Sequence, residues 1–317
     1  MTLRTVTLSP GFDHVVKVDR LLPGGVSRVL EWEVLAAGKG VNVARTATLL
    51  GAASVAYSLV GEVDELEFVE RVEAFGSAAV TVAVPGHTRR NLTLLVQDTD
   101  QAASHSVGPR LSTGDDCHAD TLIDRLVEDA QPGDVVTFNG AVPQQIRSSI
   151  WMEAATALYA RGVALIADVQ DGALVQLLET GLVLMAKPNH EEARALTQNA
   201  LDVNDLVAAS DGIRAMLRFR VKDPIVTLGP LGVLHMVNGQ LTRTWCHVEN
   251  ASIVVGAGDA FLAGYCAALT ADGWGDLEAV DVGTAVASAH ITGAAPGELH
   301  SVVRSALAGV CHESMPE

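Results

Sequence analysis

The chain has 317 residues, with 21 basic against 38 acidic side chains and a formal net charge of −17. That surplus disfavours nucleic acid or an anionic membrane as the main partner, and an anionic small substrate would need a local cluster of cations. The cysteines Cys117, Cys246, Cys266 and Cys311 form no CxxC pair, no apolar run reaches membrane-spanning length, and no signal-peptide pattern opens the chain, so a reducing cytoplasm is the expected location.

The first strand is read at Leu3–Leu8 and ends at Ser9-Pro10-Gly11, with Asp13 just beyond. Val15 to Val34, broken by Pro23-Gly24-Gly25, has the short alternation of a hairpin-like excursion. A helix follows Gly38-Lys39-Gly40, with Val43, Ala47 and Leu50 on one face and Gly51 as its stop. Strand Ser54–Val60, helix Asp64–Phe75 and strand Ala79–Val84 come next, and Arg89 to Ser106 reads as two strands turning near Asp98–Gln101. From Asp115 the alternation is steady: helix Asp115–Asp129, strand Asp134–Phe138, helix Gln144–Ala160, strand Val163–Ala167, helix Ala173–Glu179 and strand Leu182–Met185. Helices His190–Ala200 and Leu206–Phe219 precede strand Pro224–Leu228, and Asn238-Gly239 turns a hairpin between Val233–Val237 and Leu241–Trp245. A small-residue helix after Asp259 and another over Glu278–Thr292 are expected to close the fold. The pattern predicts one α/β domain over 1–317, a mostly parallel sheet with helices on both faces. The strand-rich stretches near 12–36 and 86–110 break the alternation and are expected to form a small β-sheet lid.

Gly256-Ala257-Gly258-Asp259 opens the small-residue helix. Free N–H groups at a helix start, with the helix dipole, make a site for an anion. Asp259 there would take a proton from an attacking hydroxyl while the amides of Ala257, Gly258 and Asp259 hold the developing charge. The competing reading is an acid that merely complements the dipole. Lys39 between two glycines invites a phosphate loop, but GxxxxGK[ST] fails at Glu33 and after Lys39. A dinucleotide GxGxxG fails at Val43 and at Phe261. Gly38 and Gly40 instead let backbone approach a ligand, with Asn42 close behind, unless they only admit the helix.

Arg89-Arg90-Asn91 is a conspicuous place to hold a phosphate in so acidic a chain, and Arg28 is able to join it; a solvated strand edge is the alternative. Asn189 and Glu192 would share a face and orient a hydrated Mg²⁺, or form a capping box, or both. Thr227-Leu228-Gly229-Pro230-Leu231-Gly232 suits a loop lining a flat ligand, with a plain turn as its rival.

Together these pieces resemble the ribokinase-like (PfkB) carbohydrate kinases, most closely the 1-phosphofructokinase and tagatose-6-phosphate kinase branch. The likeness runs through Thr7-Leu8-Ser9-Pro10, Asp13, Gly38 to Arg45, Thr88-Arg89-Arg90-Asn91, Lys187-Pro188-Asn189 with Glu192, Thr227-Leu228-Gly229 and Gly256-Ala257-Gly258-Asp259. The resemblance implies an ATP- and Mg²⁺-dependent transfer to a hydroxyl of fructose 1-phosphate, fructose 6-phosphate or tagatose 6-phosphate, with Asp259 as base. By it, Gly256, Ala257 and Gly258 form the anion hole. Asp13, Gly38, Lys39, Gly40, Asn42 and Asn139 lie on the sugar side, and Arg89 with Arg28 at its phosphate. Lys187, Asn189, Thr227, Gly229 and Gly232 face ATP, Asn189 and Glu192 the metal, and the lid implies a homodimer.

The chain departs from the family pattern at Ser9 (commonly Asn), Ala37 (Gly), Val254 (Thr), Asn139-Gly140-Ala141 (a Ser-Gly-Ser turn) and near Val26, where a lid lysine is usual. These departures keep two other readings open: a kinase of an unphosphorylated sugar or nucleoside, and a sugar- or nucleotide-binding regulator without turnover.

Overall fold

The computed structural model describes residues 1–21, 24–97, 104–109, 114–197, 206–249, 255–275 and 277–315. Two sheets account for its strands.

The chain begins with β1 (Leu3–Thr7), buried along its whole length. The small sheet's first two strands, β2 (Gly11–Val18) and β3 (Val29–Ala37), precede α1 (Lys39–Leu49), whose stop is Gly51 in the left-handed region. Next come β4 (Ser54–Gly61), α2 (Glu65–Glu73) and β5 (Ala78–Val84), then β6 (Arg89–Val96) and β7 (Ser104–Ser106). The alternation from Asp115 gives α3 (Asp116–Asp129), β8 (Val135–Gly140), α4 (Ile150–Tyr159), β9 (Ala164–Val169), α5 (Asp171–Glu179) and β10 (Met185–Ala186). After α6 (Arg194–Thr197) and α7 (Leu206–Arg218) the chain forms β11 (Asp223–Thr227) and the hairpin of β12 (Val233–Val237) and β13 (Gln240–Cys246). It ends with α8 (Ala257–Thr270), α9 (Ala279–Ile291), α10 (Leu299–Leu307) and β14 (Val310–Ser314).

The large sheet runs β14-β13-β12-β11-β10-β9-β8-β1-β4-β5. Every pairing from β5 to β11 is parallel, and β11 to β14 pair antiparallel. One face packs on α3, α4, α5 and α7 through Leu122, Leu126, Trp151, Leu158, Leu174 and Ile213. The other packs on α1 and α8 through Val43, Ala47, Phe261 and Leu262. Parallel strands covered on both faces need apolar side chains at successive positions, which is why these segments read as short runs rather than alternations. The small residues of α8 let α9 approach: a Cβ on Gly264 would meet Val286 Cγ2 at 2.7 Å.

The excursions near 12–36 and 86–110 leave the body together, as expected, in a sheet ordered β3-β2-β6-β7. Phe12 anchors it to α2, edge-on to Phe68 with ring centroids 5.7 Å apart. Beyond that anchor the apolar Val29, Leu30 and Trp32 of β3 are exposed, Trp32 by 65%.

Four segments differ from expectation. The helix read over Gln144–Ala160 starts at Ile150, because Arg147 binds back to α3, its amide donating to Asp116 and its guanidinium to Asp120. The strand read at Leu182–Met185 is confined to Met185–Ala186. Residues 190–193 form turns ahead of α6, and 198–200 lie outside the described residues. Helix α10 and strand β14 follow α9 and close the sheet against β13. The mostly exposed β14, Val-Cys-His-Glu-Ser, is an edge strand without an apolar stripe to announce it. The expected turn at Asp98–Gln101 and the run Ser252–Val254 also lie outside the described residues. No described helix is long and apolar enough to cross a membrane, and the four cysteines are free.

Candidate active site

Strand β1 has β4 on one side and β8 on the other, so connections diverge at its C-terminal end. Such a divergence leaves a crevice beyond the carboxyl ends of the strands. Two helix N-termini meet there. The first turn of α1 rests on the sheet, with the Gly40 N–H donating to Thr7 Oγ1 at 3.1 Å. A Cβ on Gly40 would lie 2.5 Å from that oxygen and 2.9 Å from Asn139 Nδ2, so only glycine admits this seat. Helix α8 starts from Gly256 in the left-handed region, φ 87°. Its opening amides, at Ala257, Gly258 and Asp259, have no partner within the helix.

Asp259 stands in the first turn of α8 and is 9% exposed. Asn42, on α1, donates from Nδ2 to Asp259 Oδ2 at 2.9 Å and joins the two helices. Burial, then the nearby Asp168 carboxylate, push the Asp259 carboxyl up to about 6, against Asn42, Lys39 and Lys187. Asp168 is 1% exposed at the end of β9. Lys187 Nζ lies 3.2 Å and Lys39 Nζ 3.4 Å from its Oδ1. Burial would raise the Asp168 carboxyl, but the two ammonium groups hold it below the usual carboxylate range. Lys39 also reaches Glu192 Oε1 at 3.3 Å, and burial fails to lower its basicity because Asp168, Glu192 and Asp259 hold its proton.

Around Asp259 and Asn42 the other sequence-predicted residues fall into two groups. Among those expected to face the nucleotide, the buried Lys187 ammonium is placed so that a Cβ on Gly258 would be 3.4 Å away. Asn189 Oδ1 accepts from the Glu192 amide at 2.8 Å and Glu192 Oε2 from the Asn189 amide at 3.0 Å, so the capping-box pattern is present. Asn189 bridges to Thr227, and the tight turn Gly229–Leu231 closes at Gly232. Among those expected to face the sugar, Asp13 Oδ1 accepts from Asn91 Nδ2 at 2.6 Å. Arg89 crosses Gly11, donates to the Ser9 carbonyl at 3.1 Å and lines a cavity of about 240 Å³ with Pro10, Pro143 and Gln144. Gly38 caps α1, and a Cβ there would lie 3.0 Å from Thr7 Cγ2. Asn139 lies under Gly40, where its Nδ2 donates to Thr137 and Val6.

Two arginines stand apart from these groups. Alternation along β6 turns Arg90 to the opposite face from Arg89, where it stacks over Phe12 and pairs with Asp64 at 3.0 Å. Arg28 is exposed at the far end of the β2–β3 hairpin, its amide held by Asp19, and this chain does not bring it to Arg89.

Asp168, Gln170 and His290 are not singled out by the sequence. Asp168 carried a detectable signal, a carboxylate at the end of a buried parallel strand, but that strand was read to stop at Ala167. Gln170 donates to Glu192 Oε1 at 2.9 Å, and His290 Nε2 holds the Val255 carbonyl at 2.8 Å beside Gly256. No cluster of three or more acidic, His or Cys ligands occurs among the described residues. A hard cation held mainly by phosphates and water needs only one or two carboxylates. The buried Asp168 Oδ2, which has no hydrogen-bond partner, and the nearby Glu192 fit that requirement.

The architecture, a ten-stranded mostly parallel sheet between helical layers with a separate four-stranded sheet, is that of the ribokinase-like proteins. The chain belongs to the pfkB family carbohydrate kinases, whose family model matches residues 9–299, and it is a carbohydrate kinase. It is 29% identical over 273 residues to a 1-phosphofructokinase of Xanthomonas campestris, covering 84% of each chain. It is 30% identical over 288 residues to a 1-phosphofructokinase of Haloferax volcanii, covering 90% of this chain and 89% of that one. Among solved structures it is similar to phosphofructokinase-2 from Escherichia coli in complex with fructose 6-phosphate, with a TM-score of 0.83 at 21% identity over 97% of this chain and 98% of that one.

Proposed function

We propose that the protein moves the γ-phosphoryl of ATP to a free hydroxyl of a phosphorylated ketohexose, fructose 1-phosphate first and fructose 6-phosphate or tagatose 6-phosphate next. The observation that carries this reading is the buried Asp259 at the start of α8, joined to Asn42 and flanked by Lys187. The relatives named 1-phosphofructokinase support the substrate class. Asp259 takes the hydroxyl proton as the sugar oxygen bonds to phosphorus, and the bond from phosphorus to the bridging oxygen breaks to release ADP. The amides of Ala257, Gly258 and Asp259, the α8 dipole and the Lys187 ammonium hold the charge on the moving phosphoryl.

Asp13, Gly38, Lys39, Gly40 and Asn42 hold the sugar, with Asn139 beneath Gly40. Arg89 holds its existing phosphate. Asn189, Thr227, Gly229 and Gly232 line the nucleotide, with Asn189, Glu192 and Asp168 near its metal. Mg²⁺, when bound with the nucleotide, supplies charge neutralisation across the phosphates. The small sheet acts as a lid that excludes water, and its exposed Trp32 face supports a homodimer through it.

A coupled ADP-release assay over sugars and sugar phosphates tests the assignment. Arg89→Ala is expected to raise the sugar-phosphate KM by about 10- to 100-fold, the loss of a charge-assisted contact, and to leave a neutral sugar nearly untouched. Equal effects on both would reject the phosphate role. Saturable sugar binding without turnover on any member of the panel would favour a regulator.

A further inference from the structure

We infer that Arg45 is a positioning residue for the base, fixing which end of the Asn42 amide faces Asp259. The inference rests on the reading of Asp259 as base. Arg45 is three residues after Asn42 on α1, so the two share a helix face. Arg45 Nη2 donates to Asn42 Oδ1 at 3.3 Å, and Asn42 Nδ2 donates to Asp259 Oδ2 at 2.9 Å.

A side-chain amide presents oxygen at one end and nitrogen at the other, and rotation by half a turn exchanges them. A guanidinium only donates, so Arg45 demands the oxygen end. In the rotated amide the oxygen would face the Asp259 carboxylate, acceptor against acceptor, while NH₂ faced the guanidinium, donor against donor. Arg45 therefore removes the unproductive orientation. Asp259 Oδ2 is held by a fixed donor, and Oδ1 is the oxygen directed to the sugar hydroxyl.

The surroundings give this side chain few other tasks. Its hydrogen bond goes to Asn42, and it makes no ion pair at contact distance among the described residues. Asp13, Asp259 and Glu33 surround it at longer range. Asp13 and Glu33 come from the small sheet and Asp259 from α8, so this cation faces acids from both sides of the crevice. The other charged groups that act on Asp259 are Asp168 from β9, Lys39 from α1 and Lys187 beyond β10. Each acts as a charge, and none of them orients Asn42.

The test measures kcat and kcat/KM for sugar phosphate and ATP across pH in wild type, Arg45→Met and Arg45→Lys. Arg45→Met is expected to lower kcat by about 10- to 100-fold, as the base loses its fixed partner and a neighbouring cation. It is also expected to move the acid limb about one unit toward higher pH, since both lost groups favoured the ionised carboxylate. The ATP KM stays within about threefold. Lysine also only donates, so Arg45→Lys should restore the wild-type acid limb and most of kcat. Asn42→Leu should shift the limb likewise, and adding Arg45→Met to it should cost clearly less than it does in wild type, because the part that acts through Asn42 is already lost. Arg45→Gln, which keeps bulk and reopens the amide ambiguity, decides the matter if the Met variant does not fold. An unmoved acid limb in Arg45→Met or Arg45→Gln, or a full additional loss on the Asn42→Leu background, overturns the inference. Turnover surviving Asp259→Asn would instead overturn the assignment of the base, so the two failures are distinguishable.

Discussion

Replacing Asp259 by asparagine should abolish turnover and make the protein more stable. The carboxyl is displaced from the ordinary 3.8 to about 6, by burial first and Asp168 second. At about 1.4 kcal/mol for each tenfold change in a protonation equilibrium, the ionised group costs the folded state about 3 kcal/mol at pH 8. The sign follows from proton counts. Between pH 4 and 6 the folded chain holds the Asp259 proton more tightly than the unfolded chain, so wild-type stability falls as pH rises through that window. Asparagine remains neutral, and its oxygen still accepts from Asn42. The variant should therefore exceed wild type by about 3 kcal/mol at pH 8 in urea unfolding, with the gap narrowing below about 1 kcal/mol near pH 4. The pH profile of wild-type kcat/KM should show the same group as an acid limb near 6. Equal stability of the two proteins at both pH values would refute the argument that Asp259 is held ionised against its surroundings.

Lys187→Met leaves Asp168 with only the more exposed Lys39 as a counter-charge. Breaking a buried pair typically costs about 3–5 kcal/mol, so the urea midpoint should drop sharply, and an unchanged midpoint would show that Lys39 suffices. Trp32→Glu puts a charge on the exposed face of the small sheet; if the proposed homodimer forms through that face, sedimentation should show the variant shifted from dimer to monomer, and an unchanged assembly would reject the contact.

The sequence made the body of the fold legible because buried parallel strands and amphipathic helices leave different periods, and glycine marks their ends. Helix α1 is the plain case: Val43 and Ala47 on its buried face, Gly51 at its stop. Strand β14 was invisible for the opposite reason, since an edge strand buries little and need not alternate. The site divided along similar lines. Residues in compact stretches, Gly38 to Asn42 and Gly256 to Asp259, could be read locally, because a helix start needs special backbone and shows it. Asp168 could not be joined to Lys39, 129 positions away, because sheet order rather than proximity in sequence brings them together. The Arg89–Arg90 pair shows the reverse error. Adjacent in sequence, the two face opposite ways, because a strand sends successive side chains to opposite faces.

The crevice resolves the tension between a chain of net charge −17 and anionic reactants. Lys39, Arg45 and Lys187 gather at Asp259 and Asp168, while Arg89 lines a separate cavity beside Ser9 and Pro10. Asp168 and Glu192 hold Lys39 and Lys187, so the cations are fixed in place without ligand. Burial first and the Asp168 carboxylate second disfavour the ionised form of Asp259, against Asn42 and the two lysines. In the proposed reaction, proton transfer from the acceptor hydroxyl would neutralise this buried carboxylate and pass its negative charge through the acceptor oxygen to the incoming phosphoryl. The arrangement that destabilises the resting carboxylate would thus make it the stronger base in the proposed reaction, and loss of Asp168 should lower the Asp259 pKa and weaken it in that role.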